Sequence, residues 1–318
     1  MPCNPPPIRS SKCSFQPSAI LAISTCGARC PQPSVAWSAR SSSSTASGRR
    51  CSALAKASTR PHPHIGLATL TYLIDGEIDH RDGEGYVQTI RPGEVNLMTA
   101  GRGIVHSERS GAEFRAREDR LFGFQTWLAL PLELEETDPR FQHVAASELP
   151  RLTGEGAEVR LLAGTFGGAR APTRIFSDTL YAGVALIDGA RFRIDGEHVE
   201  RALYVVDGEI EVKGQTGCFS KDQLVVLRPG AEIVVMAHGP ARLMMLGGEP
   251  LPEKRHIFWN FVSSRRERID QAAEEWQSGR FVRKRDDDVR VLHGAVLTGR
   301  SATREWCRPY GRSKQHRC

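Results

Sequence analysis

From Arg60 the chain alternates apolar and polar residues in short runs broken by Asp-Gly and Pro-Gly pairs, the pattern of strands and tight turns. Leu70 to Ile74 and Glu77 to His80 flank Asp75-Gly76, which predicts a type I′ hairpin because both turn positions need positive φ. Pro92-Gly93 makes the next turn, and Gly101-Arg102-Gly103 allows a tight bend before His106. Phe122, Phe124 and Trp127 lie on an apolar strand, and an acidic stretch follows (Glu133, Glu135, Glu136, Asp138). A period of 3.6 comes late. Ile269, Ala272, Ala273 and Trp276 recur at 3, 4 and 7 residues, an amphipathic helix starting near Ser263-Ser264 and ending at Gly279.

The strand pattern occurs twice. Tyr72 to Ile78 reads YLIDGEI and Tyr204 to Ile210 reads YVVDGEI, and Arg91-Pro92-Gly93 recurs as Arg228-Pro229-Gly230. Two copies of one β unit in series predict an all-β fold of two packed barrels with a short C-terminal helix. The expected division is 60–130 for the first barrel, 131–160 for a connector and 161–281 for the second. Residues 1–59 and 282–318 are expected to be tails outside the folded body. The first is rich in Ser, Pro, Ala and Cys, has no acidic residue and keeps no sustained period. It reads either as transit-peptide-like or as text foreign to the rest.

Chemistry concentrates at the two ends of the first copy, in His62-Pro63-His64 and His106-Ser107-Glu108. Side chains on a strand repeat every two residues, so each pair presents both members to one face. Folding the two ends together gathers three imidazoles and one carboxylate, a set suited to iron, nickel, cobalt or manganese, with two coordination positions left for substrate, water or dioxygen. A structural zinc site would favour thiolates. One H-x-H alone describes many half-buried histidine pairs; a second paired dipeptide about forty residues on is what favours a metal.

The positions in the second copy that correspond to these are Ile194, Gly196, Leu243 and Met245, so that barrel is expected to be metal-free. His80 would pair across the predicted hairpin with Thr71, whose parity is opposite to that of His64, and is therefore expected to point away unless a bulge at Gly66 intervenes. His198 stands alone and reads as a surface histidine.

Charge and cysteine content narrow the function classes. The formal net charge of +6 comes from the ends, because the first sixty residues hold eight Lys/Arg and no acid, leaving 35 bases against 37 acids. The body therefore offers no broad cationic surface for nucleic acid. No run of about eighteen apolar residues predicts a membrane-spanning helix. Five of the eight cysteines lie in the first sixty residues, and Cys26-Cys30 has no second pair at finger spacing. Cys218 alone remains in the body, which predicts no disulfide there and a reducing, cytoplasmic setting, with an organelle as the alternative. G-x-S-x-G, a Walker loop and a strand–helix G-x-G-x-x-G are all missing.

TYLIDGEI after HPH, then RPGEVNLMTAGRGIVHSE and the later GGEPLPEKRHIFWNFVSS, resemble the pirin family of the cupin superfamily, over about Arg60 to Phe281. The resemblance implies tandem cupin barrels and one divalent transition metal, most often Fe(II), with Ni, Co, Mn, Cu or Zn as substitutes. It implies His62, His64, His106 and Glu108 as ligands, with Glu108 also serving as the catalytic base. General cupins place a glutamate shortly after H-x-H, where this chain has Leu67-Ala68-Thr69; Glu108 takes that part in pirins. The implied activity is that of a quercetin 2,3-dioxygenase, opening a flavonol ring with O2 and releasing carbon monoxide, with Met98 and Ile104 as apolar pocket residues. The alternative it implies is a metal-dependent, redox-sensitive regulator that docks on a protein partner, such as a transcription factor, without catalysis. A monomer is expected in either case. Pirins carry strands before HPH, and none is legible in residues 1–59, so the first barrel is expected to lack part of its wall and to bind metal weakly.

Overall fold

In the computed structural model, residues 20–26, 35–36, 58–111, 114 and 121–281 are described. The first ten strands are β1 (Ile20–Cys26), β2 (Val35–Ala36), β3 (Ser58–His64), β4 (Leu67–Asp75), β5 (Ile78–Asp82), β6 (Val87–Ile90), β7 (Val95–Thr99), β8 (Ile104–Arg109), β9 (Phe122–Ala129) and β10 (Arg140–Val144). They form two sheets, a six-stranded one in the order β10-β7-β4-β9-β1-β2 and a four-stranded one in the order β3-β8-β5-β6.

The alternation in β4 explains why it is buried along nearly its whole length. Ala68, Leu70 and Tyr72 join Phe124 and Leu128 in a cluster shared with Leu162, Tyr181, Tyr204 and Met244 of the second half. Leu67 turns the other way, packing with Met98, Ile104 and Ala129. One face thus lines the first barrel and the other forms the seam between barrels, where Thr126 Oγ1 donates to Tyr181 Oη at 2.9 Å.

Asp75-Gly76 does not close a hairpin. Gly76 does adopt a positive φ of +83°. However, β4 pairs with β7 and β9, while β5 pairs with β6 and β8. The turn carries the chain from one sheet to the other, and Leu73, Ile78 and Ile90 fill the corner it makes.

Two pieces of the presumed N-terminal tail are strands. β1 runs antiparallel along β9, from Ile20 opposite Leu128 to Cys26 opposite Gly123, and β2 pairs with β1. The connector is also built in: β10 pairs with β7 over Arg140–Val144, and Arg151–Gly154 pairs with the strand Ala157–Phe166. The presumed tail 282–318 lies outside the described residues.

The second half repeats the plan with one seven-stranded and one four-stranded sheet. Its interior is apolar throughout, with Leu161, Ile194, Leu203, Val235, Leu243 and Met245 in one cluster. The fold is thus the expected pair of β-barrels with a short C-terminal helix, α1 (Arg266–Gln277). Ile269 and Ala272 of α1 are buried against Ile65, Val105, Phe261 and Phe281 under the first barrel. Gly279, at φ +70°, ends the helical run as its place in the sequence predicts. Ser263 and Ser264 do not cap α1 with their side chains. Both hydroxyls donate instead to Glu135. Cys218 is disulfide-bonded, against the expectation of a lone thiol in the body.

Candidate metal centre

Register places the site on one face of the four-stranded sheet. β3 runs antiparallel to β8 with His62 opposite His106 and His64 opposite Ile104. On the other side of β8, His80 stands opposite Glu108 and Asp82 opposite His106. Directly opposed residues share a face. The period of two then puts His62, His64, His80, Asp82, His106 and Glu108 on the same side, inside the barrel.

Three ring nitrogens meet there. His106 Nε2 lies 2.9 Å from His62 Nε2 and 3.1 Å from His64 Nε2. The rings are 4.4 to 5.0 Å apart by centroid. His64 and His106 are fully buried, and His62 is half-buried. Burial holds both His64 and His106 well below the ordinary histidine pKa, and the crowding of neighbouring imidazoles adds to it. The backbone of Asn260 partly offsets this at His64. Both of these rings are therefore neutral at pH 7, and a neutral imidazole has one lone pair to offer. In the metal-free protein the three Nε2 atoms are linked by ring-to-ring hydrogen bonds, whose place a cation can take. Nitrogens at right angles about a metal, with bonds of about 2.1 Å, stand about 3.0 Å apart. The observed spacings fit that geometry.

Glu108 falls into an overlapping group, with His80 and His106, rather than into the tight histidine trio. Its Oε1 accepts from Gln125 Nε2 at 2.7 Å and from Thr71 Oγ1 at 3.4 Å. Oε2 has no partner among the described residues. Met98 and Ile104 lie in the apolar cluster under the sheet, Ile104 beside His64 in the strand ladder.

His80 is not turned away. It is 3 % exposed, its Nδ1 is 3.5 Å from His106 Nδ1, and its Nε2 is 3.0 Å from Asp82 Oδ2. The expectation failed because it took parity from a β4–β5 hairpin that does not form; β8 sets the parity instead. His80-Arg81-Asp82 is itself a paired dipeptide of ligand-type residues two apart, the signal that marks the other two pairs. Phe141 and Gln125 also escaped notice, and the sequence marks Trp127 and Thr71 only as strand residues, not as part of the site. Trp127 meets His64 edge-on at 5.4 Å, and Phe141 stacks on His80 at 4.6 Å. No local motif announces them, since each reaches the site from the opposite sheet or its edge strand.

The second barrel has no comparable group among the described residues. His198 is buried rather than on the surface, with Nδ1 2.9 Å from Asp178 Oδ2 and Nε2 2.9 Å from the Thr165 carbonyl.

Known proteins agree with this architecture. Residues 38–128 match the family model described as Pirin, and residues 181–282 match the Pirin C-terminal cupin domain. A pirin-like protein of Caulobacter vibrioides is 45% identical over 226 residues, covering 71% of this chain and 77% of the relative. Pirin-1 of Arabidopsis thaliana is 30% identical, covering 69% and 76%. The crystal structure of quercetin 2,3-dioxygenase from Acinetobacter baumannii superposes with a TM-score of 0.64 at 32% identity, covering 70% of this chain and 74% of that one. The chain belongs to the pirin family.

Proposed function

We propose that this pirin is a metal-dependent dioxygenase that opens a flavonol of the quercetin type, with His62, His64, His106 and Glu108 as the ligands of a single divalent ion, Fe(II) by preference. The observation that carries the reading is the meeting of three imidazole nitrogens at 2.9 and 3.1 Å, two of them on buried, neutral rings. The likeness to a quercetin 2,3-dioxygenase structure supports the choice of substrate.

When bound, the ion supplies Lewis acidity toward the adjoining hydroxyl and keto oxygens of a flavonol, lowering the hydroxyl pKa. The chain's residues do the rest. His62, His64 and His106 direct their Nε2 atoms to one point, and β3 and β8 hold them there by ladder pairing. Glu108, its Oε1 fixed by Gln125 and Thr71, keeps Oε2 for the ion or for the substrate's hydroxyl proton. Trp127 and Phe141 cover the imidazoles with apolar surface and exclude water from them.

The test is to load the full chain with Fe(II) and follow quercetin loss and carbon monoxide release, beside metal-free protein and Glu108→Gln. Turnover that needs the metal, and that falls by at least about a hundredfold in Glu108→Gln as loss of a general base does, supports the proposal. A chain that holds iron and leaves quercetin intact overturns the catalytic reading and leaves the docking one.

A further inference from the structure

Asp82, His80 and His106 form a chain of ring and carboxylate contacts behind the histidine trio. Asp82 is 1 % exposed and its two oxygens have separate duties. Oδ1 accepts from the backbone N–H of Glu84 at 3.0 Å and of Tyr86 at 3.1 Å. Oδ2 faces His80 Nε2 at 3.0 Å. A carboxylate only accepts, so His80 must carry its proton on Nε2. With the His80 ring taken as neutral, Nδ1 is bare and can only accept. That atom faces His106 Nδ1 at 3.5 Å. His106 must therefore donate from Nδ1, leaving the lone pair of Nε2 directed at His62 and His64.

We propose that Asp82 and His80 are positioning residues that fix His106 in the Nδ1–H tautomer, so that its Nε2 is presented to a metal. The proposal rests on the reading of the histidine trio as metal ligands. Outer partners of this kind orient a ligating ring and raise its basicity. Here the relay is two residues long, and its far end is anchored by backbone rather than by solvent. Phe141 stacked on His80 keeps the ring from rotating out of line.

Asp82→Asn gives the sharp test. The two backbone N–H groups that bind Oδ1 claim the amide oxygen, which leaves the NH2 group facing His80 Nε2. His80 must then accept at Nε2 and protonate Nδ1, and His106 must accept at Nδ1 and protonate Nε2. The atom meant for the metal becomes a donor.

The experiment uses the full chain labelled with 15N-histidine. Nitrogen spectra of the metal-free protein report the tautomer of each ring, and competition with a chelator gives the Kd for Co(II). In the unaltered protein His106 is expected to be protonated at Nδ1; in Asp82→Asn, at Nε2, with Co(II) binding weakened about 10- to 100-fold. His80→Phe, which keeps the ring on Phe141 but cannot accept, should weaken Co(II) to a similar degree. Asp82→Glu, which restores a pure acceptor, should recover part of the loss.

An unchanged His106 tautomer and unchanged Kd in Asp82→Asn overturn the proposal. So does a second Co(II) bound by the unaltered chain and lost in His80→Phe, since His80 would then be a ligand itself. Failure of the unaltered chain to bind Co(II) sinks the metal reading alone, and the metal-free tautomers still decide the positioning claim.

Discussion

Gly76 and Gly208 hold the same left-handed backbone, φ +83° in each, at the corresponding turn of the two barrels. Each turn passes the chain from one sheet to the other, at Asp75-Gly76 and at Asp207-Gly208. The scaffold has thus been kept twice while the contents diverged. By strand register, where the first barrel places His62, His106 and Glu108, the second places Ile194, Ile233 and Val235, all in or against one apolar core. Leu243 and Met245, the counterparts expected from the repeat spacing, lie instead on the strand that corresponds to β9. The expected outcome is one transition metal per chain. Elemental analysis after loading checks it, and a ratio near two would refute it. His62→Ala or His106→Ala should abolish retention, whereas His198→Ala should leave it intact.

Glu135 ties the stretch between the barrels to the segment leading into α1. It is 4 % exposed, accepts from the Ser264 N–H at 2.9 Å and the Ser264 hydroxyl at 2.9 Å, and pairs with Arg255 Nε at 2.7 Å. Glu135→Ala would leave the buried guanidinium without its near counter-charge, a change that costs about 3–5 kcal/mol. Glu253 at 3.7 Å remains as a distant partner, so the loss belongs at the lower end. Urea unfolding measures it. Glu135→Gln, which keeps shape and one acceptor, should lose less; equal loss in both would assign the effect to charge alone.

The fold was legible because its signals are local. Paired turns, the doubled YLIDGEI-type run and the late helical period each reside within a dozen residues. The three histidines were legible for the same reason, since two dipeptides with a period of two name them. What did not follow from the sequence was pairing. Asp75-Gly76 signals a reversal of direction, but whether the next strand joins the same sheet depends on contacts with β8, far along the chain. That one choice decided the parity of His80 and hid Asp82. β1 was missed because Ile20-Leu21-Ala22-Ile23-Ser24-Thr25-Cys26 has no alternation to mark it, and strand propensity follows context more than composition.

His198 gives the second barrel a pH-dependent element. Burial alone would lower its pKa, but the Thr165 carbonyl and the Asp178 carboxylate outweigh this and raise it above 6.5. Both partners accept, so the charged ring, donating from both nitrogens, is the form that fits. A raised folded pKa means that the stabilisation is full below pH 6.5 and is lost as pH rises through the folded value. The melting temperature of the unaltered protein should exceed that of His198→Gln at pH 6, and the gap should narrow as pH rises to 8.5. A gap that stays constant, or widens with pH, would remove the charged pin from the account.

The last expectation concerns β1. Pairing from Ile20 opposite Leu128 to Cys26 opposite Gly123 occupies the edge of β9 that would otherwise present free N–H and C=O groups. An open edge of that length is a template for pairing with another chain. The proposed metal ligands do not depend on it, since they sit on β3 and β8 in the opposite sheet. Deletion of residues 1–57 should therefore separate two properties. Co(II) affinity should stay within about threefold of the full chain, because coupling between sites in different sheets with no shared partner is small, a few tenths of a kcal/mol. Self-association should rise, seen as higher-mass species by light scattering at equal concentration. If the shortened chain is as monodisperse as the full one, β9 is protected by something other than β1. If it scatters alike but has lost Co(II), the N-terminal strand supports the metal centre itself, and the barrel cannot hold its ligands without that wall.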